Sequence, residues 1–415
     1  MSSLIASFWS LKRTQWADRA TLREMQDSRL RRLIQRAYDH VGYYRRRFDS
    51  IGLKPHHIRG VSDLDKIPVT TKAELQAAPL RERINDEYPL DTLTAERTSG
   101  STGQPFTAYF DSHFINVRNA LFLRVLHNAG YRPGQKLMLV TGERKTSRPW
   151  MRWYYSSIES PAEQLAEEFA RYRPSVLYGC MTPLREMAAC LESLHHTTHR
   201  PSVVISTAES LDAATRNLLE RVFGAPVYDI YGLTEMGLVA WECPAHNGYH
   251  LSEDTTIVEF IPDPNRNSSR LVMTNLELDS MPLIRFQTGD LAVPLGDDRP
   301  CSCGRHSRRI ARVDGRMVDC IRTSREPLVS PYRLTLALEG VNGLDRYQIL
   351  QERVDELIVR IEETGSDKQT VENSVRSALQ KITGPQARIE VRFEGSLQPP
   401  DGRKFRVVEC RIDRT

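Results

Sequence analysis

Between about residue 100 and residue 320, short β-rich runs alternate with helical patterns, and this limits the fold more than any other feature of the sequence. KLMLV (136–140), SVLYG (175–179), SVVIST (202–207) and PVYDIYG (226–232) read as strands. Between them, AEQLAEEFARY and ATRNLLERVF carry the spacing of amphipathic helices. Such alternation implies an α/β fold whose parallel or mixed sheet is covered on both faces. Upstream, residues 20–48 read as one long amphipathic helix, with Leu22, Met25, Leu30, Leu33, Ile34, Ala37, Tyr38 and Val41 on one face and Arg on the other. After Arg316 the texture changes: QILQERVDELIVRIEE, a helical VENSVRSALQKI, RIEVRFEG and FRVVECRI suggest a small α+β module. At 415 residues the chain also exceeds the roughly 250–300 at which single cores stop growing. The expected architecture is a large N-terminal domain (1–318), its sheets sandwiched by helices, plus a small mobile C-terminal α+β domain (319–415).

Composition excludes several function classes. The net charge of +4 is small for this length, and Arg is interspersed with Asp and Glu, so nucleic acid is not an expected partner. No apolar run approaches the roughly 18 residues of a transmembrane helix, so no membrane partner is expected. The N-terminal MSSLIASFWSLKRTQW lacks the layout of a signal peptide. Seven cysteines, odd in number and sparse, point to a reduced, cytoplasmic protein.

RTSGSTGQPF (97–106) packs Thr98, Ser99, Gly100, Ser101, Thr102 and Gly103 together. Small residues let the backbone approach an anion, and N–H groups with several hydroxyls can donate to phosphate oxygens. No Gly-Lys-Ser/Thr follows, so this is not a Walker loop. Read alone, the segment serves equally as a flexible Ser/Gly linker. It is followed, in order, by YDIYGLTEMG (228–237), RFQTGDLA (285–292), GRMVDCI (315–321) and DGRKFRVV (401–408).

With this ordered set, the chain resembles the adenylate-forming superfamily of acyl-CoA synthetases, luciferases and peptide-synthetase adenylation domains. It is most similar to the phenylacetate–CoA ligase group, with LRRLIQRAYDHVGYYRRRF and IPVTTKAEL ahead of the loop. The resemblance covers nearly the whole chain. It implies an acid ligase that joins an aryl or other small organic acid to AMP from ATP with Mg²⁺, then transfers the acyl group to CoA. Two other outcomes stay open: transfer to an amine, carrier protein or reductase, and a non-catalytic nucleotide-binding protein.

The chemistry brings two anions together, so it needs cations and donors. By resemblance, Ser99–Gly103 hold the β- and γ-phosphates, Thr234 bonds the α-phosphate and Glu235 carries Mg²⁺. A carboxylate suits that hard cation, although Glu235 would also suit a helix start. Tyr231, just before Gly232, is suited to stack on adenine or simply to pack in the core. Ala208 and Glu209 would line the other side of the base, and Asp229 is suited to accept from its amino group. Asp290 matches the acid that takes the ribose hydroxyls, and Arg316 the base reaching ribose and phosphate. Lys404 matches the catalytic lysine, with Arg403 where the family usually has glycine. Val318 stands where the family usually has a charged hinge residue, which leaves the acyl acceptor open.

Cys243, His250, Cys301 and Cys303 offer three thiolates and an imidazole, a set suited to a structural Zn²⁺. His246 competes with His250 for the fourth position. Cys180, Cys190, Cys320 and Cys410 are expected only to pack.

Overall fold

A computed structural model of the chain describes residues 2–97, 106–142, 151–194, 199–262, 268–296, 300–316, 319–325, 329, 331–338, 341–344, 346–362, 367–395, 397 and 405–412. It divides into two compact units. One comprises Met1–Leu211, Leu218–Thr288 and Ala292–Val313, the other Asp212–Asn217, Gly289–Leu291 and Asp314–Thr415.

The first unit opens with helices α1 (Ser2–Thr14), α2 (Arg19–His40) and α3 (Gly42–Asp49), then the short α4 (Lys72–Ala77) and α5 (Leu80–Arg83). The single helix expected over 20–48 is in fact two. The backbone turns extended at Val41 (φ −121°, ψ 104°), and Gly42 starts α3. Both pieces bury their apolar faces in one core, through Leu30, Leu33, Ile34, Ala37, Tyr44 and Phe48, so the periodicity runs through the break.

Strands β1 (Thr94–Arg97) and β2 (Thr107–Phe110) pair antiparallel, and α6 (Ser112–Asn128) follows. A strand–helix series then runs β3 (Leu137–Thr141), β4 (Trp153–Ser157), α7 (Ala162–Tyr172), β5 (Val176–Cys180), α8 (Met181–Ser193), β6 (Val203–Thr207), α9 (Ala213–Phe223) and β7 (Val227–Leu233). Next come β8 (Gly237–Glu242), β9 (Tyr249–Leu251), β10 (Thr256–Pro262), β11 (Ser269–Asn275), β12 (Phe286–Pro294) and β13 (Arg309–Arg316). Among the described residues, β3 to β13 form a mixed sheet ordered β10-β11-β12-β13-β9-β8-β7-β6-β5-β3-β4. Strands β3 to β7 pair parallel, whereas β8 and β9 pair antiparallel to their neighbours.

Both sheet faces are buried, and residues alternate between two cores as strand geometry requires. Leu137, Leu139, Val203 and Ile205 pack with Leu11 of α1 and Val117, Leu121 and Val125 of α6. Met138, Val140 and Val204 face Leu165 and Phe169 of α7, Leu184 and Met187 of α8, and Leu219 and Phe223 of α9. The α/β expectation is met.

The second unit adds α10 (Pro331–Leu338), β14 (Tyr347–Arg353), β15 (Glu356–Glu362), α11 (Lys368–Thr383), β16 (Arg388–Glu394) and β17 (Val408–Cys410). The strands form a sheet ordered β16-β15-β14-β17. Its core joins Ile349, Val359 and Ile389 to Leu334 and Leu338 of α10 and Val371, Val375 and Leu379 of α11. This is the α+β texture read from the sequence. No helix of the described residues is long and apolar enough to cross a membrane.

Candidate active site

Ligand sites in open α/β sheets form beyond the carboxyl ends of parallel strands. Here the neighbouring ends of β5, β6 and β7 carry Cys180–Thr182, Thr207–Glu209 and Tyr231–Met236. Strand β7 turns back into β8 through Thr234, Glu235 and Met236, with a bulge between Tyr231 and Gly232. A Cβ at Gly232 would lie 2.9 Å from the Gly237 carbonyl oxygen, and Gly237 has φ +75°. Both ends of the turn therefore need glycine. Met236 anchors the tip in the core, Thr234 is half-buried and Glu235 is only 7% exposed. Tyr231 is half-buried against the same core.

After β6, Ala208 adopts φ +74°, a left-handed conformation that costs a non-glycine residue about 1–3 kcal/mol. Glu209 then reaches across to β5, accepting from the Thr182 backbone N–H (3.2 Å) and from the Thr182 hydroxyl. The Asp229 carboxylate accepts from the hydroxyls of Ser206 and Tyr249 (2.8 Å for Tyr249), and the Asp229 N–H donates to Glu242 (2.8 Å).

The phosphate-loop residues Thr98–Gly103 lie outside the described residues, but their flanks do not. Arg97 pairs with Thr107, so the segment joins two strands of one hairpin and is not a linker between domains. Arg118 of α6 grips Glu96 of that hairpin with two hydrogen bonds (2.8 and 2.6 Å). Its Cγ would lie 3.5 Å from a Cβ on Gly237, so α6 brings the base of the loop to the Glu235 turn.

Among the sequence-predicted residues, Ala208, Glu209, Asp229, Tyr231, Gly232, Thr234 and Glu235 thus sit on adjacent ends of β6 and β7. Asp290 is buried within β12, and Arg316 ends β13. Lys404 and Val318 lie outside the described residues. Ser206, Tyr249, Glu242 and Arg118 were missed. Their roles depend on strand register and helix packing, and no local motif marks them.

The cysteine and histidine set converges. One ligand atom from each of Cys243, His250, Cys301 and Cys303 lies within 4.8 Å of the others. Cys243 and Cys301 sulfurs are 3.6 Å apart, and the Cys303 sulfur is 3.3 Å from His250 Nε2. Thiolates bound at about 2.3 Å to one tetrahedral ion would stand at such separations. The other His250 ring nitrogen meets the Ser307 hydroxyl at 3.0 Å, the outer contact that orients a ligating imidazole. Burial, with the charges of Arg305 and Arg309, pushes His250 down to about 3, so it is neutral with a lone pair to give. Burial pushes the Cys243 thiol up to about 12. Cys303 is also raised by burial, but hydrogen bonds with Arg305, Cys301 and Cys243 together outweigh this and leave it below its ordinary value. His246 stacks on Tyr228 (4.9 Å between centroids), and the convergent set contains His250.

No protein-family model matches the chain. It is 28% identical over 379 residues to the phenylacetate-coenzyme A ligase of Thermus thermophilus, covering 83% of this chain and 82% of the relative. The phenylacetate-coenzyme A ligase of Escherichia coli is 27% identical over 436 aligned positions, covering 94% and 95%. A crystal structure of 2-hydroxyisobutyryl-CoA ligase in its postadenylation state has the same fold, with a TM-score of 0.80 at 20% identity over 97% of this chain and 92% of that one. Along most of its length the chain is similar to the phenylacetate–CoA ligases, and it shares the fold of adenylate-forming ligases. Another relative of this ligase is Protein CapK of Staphylococcus aureus, 21% identical over 83% of this chain and 80% of its own.

Proposed function

We propose that this ligase uses ATP to convert a small organic acid into an acyl-AMP, releasing pyrophosphate, and then passes the acyl group to CoA. The observation that carries this reading is the glycine-bounded turn that buries Glu235 at the carboxyl ends of the parallel strands, beside the hairpin of the Ser/Thr/Gly loop. Glu235 would hold Mg²⁺, which offsets the charge of the phosphates. Thr234 would donate to the α-phosphate, and Ser99–Gly103 to the β- and γ-phosphates. Tyr231 would cover adenine, with Ala208 and Glu209 opposite. Asp290 would take the ribose hydroxyls, Arg316 would reach ribose and phosphate, and Lys404 would bridge the two reacting anions. Residues 319–415 would form the lid domain. The free cysteines among the described residues fit a cytoplasmic setting.

A panel of aryl and small aliphatic acids in ATP–pyrophosphate exchange, followed by CoA addition, tests the reading. Exchange with at least one acid and thioester formation with CoA are expected. Folded protein that exchanges with none of them removes the adenylation reading.

The Cys243, His250, Cys301 and Cys303 set fits a structural zinc. Metal analysis should find about one zinc per chain. Cys301→Ser should lower both zinc content and melting temperature, because a structural metal contributes folding energy. A metal-free preparation of undiminished stability would contradict this.

A further inference from the structure

The link between α1 and α2 meets the Cys/His cluster through one side chain, Arg305. Gln15 and Trp16 follow α1 directly, and Arg305 stands two residues after Cys303. Gln15 Oε1 accepts from Arg305 Nε and Nη2 (3.3 and 3.2 Å). The guanidinium also lies over two indoles, 4.1 Å from the Trp16 ring centroid and 4.7 Å from that of Trp241. Such contacts hold a cation by the negative face of the ring. Trp241 of β8 packs in turn on the His250 ring (5.5 Å between centroids). Gly304, at φ +85°, makes the turn between Cys303 and Arg305.

Arg305 is 5% exposed, and among the described residues no carboxylate pairs with it. A buried cation without a counter-charge is costly. The neighbour able to carry negative charge is Cys303, whose sulfur is hydrogen-bonded by both the side chain and the backbone of Arg305. Three thiolates, a neutral imidazole and a divalent ion sum to one net negative charge, which a guanidinium beside the sulfurs offsets. Metal binding is what displaces the thiol protons. The counter-charge available to Arg305 therefore depends on the ion.

We propose that Arg305 is a positioning residue that couples a metal-loaded Cys/His centre to the seating of Gln15 and Trp16. The proposal rests on the structural-zinc reading above and adds to it an outer contact and a responding element. With metal bound, the guanidinium stays against the sulfurs, where Gln15 and Trp16 close over it. Once the metal leaves, the buried charge has lost its counter-charge and turns toward water, which releases both residues. Helix α1 itself stays anchored, because Leu11 lies in the sheet core and the Thr14 hydroxyl donates to Asp254 (2.6 Å). The element that responds is thus the link from Gln15 to Asp18. Coupling of this kind is reciprocal, so loosening Trp16 must also weaken the hold on the metal.

The test is zinc affinity of the full-length protein, measured in competition with a chromogenic chelator. Arg305→Gln should weaken zinc binding about 10–100-fold, the usual weight of an outer contact on a metal site. Trp16→Ala leaves the Cys/His set unchanged and, at a position 49% exposed, should keep the fold. It should weaken zinc several-fold, whereas Trp16→Phe, which retains an aromatic face, should restore most of the affinity. In the wild type, zinc removal should open trypsin cleavage after Arg19, at the start of α2, and added zinc should close it. Should Arg305→Gln fail to fold, Trp16→Ala and the cleavage assay carry the test. A wild type that binds no zinc overturns the zinc reading itself. Zinc held equally well by wild type and Trp16→Ala, with cleavage after Arg19 unmoved by zinc, overturns the coupling alone.

Discussion

Replacing Glu235 by alanine is expected to cut ATP–pyrophosphate exchange by ~10²-fold or more, the scale on which charge-stabilising groups act at reacting centres. The side chain is 7% exposed, in the turn between β7 and β8. The sequence left open that this acid merely complements a helix start. No helix starts there, so that explanation is gone. A carboxylate is a hard oxygen ligand suited to Mg²⁺, the cation the proposed reaction requires. Glu235→Gln keeps the shape and removes the charge, and should fail nearly as badly. Both variants should keep the fold, because Gly232, Gly237 and the buried Met236 define the turn. Exchange within a few-fold of wild type, in protein with an unchanged melting temperature, would end the assignment.

Much of the fold was legible because strand and helix periods differ. Met138 and Val140 alternate with Leu137 and Leu139 between two cores, and that period of two is written in the sequence. The break at Val41 was not legible, because α2 and α3 bury the same side and nothing in the apolar spacing changes there. The Ser/Thr/Gly segment could not be told from a linker until β1 and β2 were seen to pair across it. The turn from Tyr231 to Glu235 was legible because its glycines and its acid are contiguous in the chain. Ser206, Glu242 and Tyr249 were not, since each contributes through register with a strand whose partner the sequence does not declare. The Cys/His cluster was half legible. Residue types suggested it, but finding His250 rather than His246 in the convergent set required knowing that β9 places His250 opposite the start of β13.

Lys404→Ala is expected to slow acyl-AMP formation strongly and to leave the transfer of chemically supplied acyl-AMP to its acceptor nearly intact. Adenylation must hold a carboxylate and an α-phosphate, both negative, at bonding distance, and a flexible ammonium is suited to bridge them. In the second step pyrophosphate has gone and the acyl-AMP is already formed, so that repulsion no longer has to be overcome. Val318 bears on the second step. It is uncharged where the family usually places a charged hinge residue, and the neighbouring acid Asp319 is engaged by Arg406 (3.2 Å) within the second unit. A hinge need only absorb backbone rotation, so Val318→Ala should change adenylation little. Val318→Pro fixes φ and should impair acyl transfer selectively. The measurement is a pair of half-reaction rates for each variant, with CoA and then candidate amines as acceptors. Wild-type protein that forms acyl-AMP and gives it to no CoA would redirect the acyl group to an amine, carrier protein or reductase. Equal loss of both steps in Lys404→Ala would remove the lysine from its role and make Arg403 the next cation to replace.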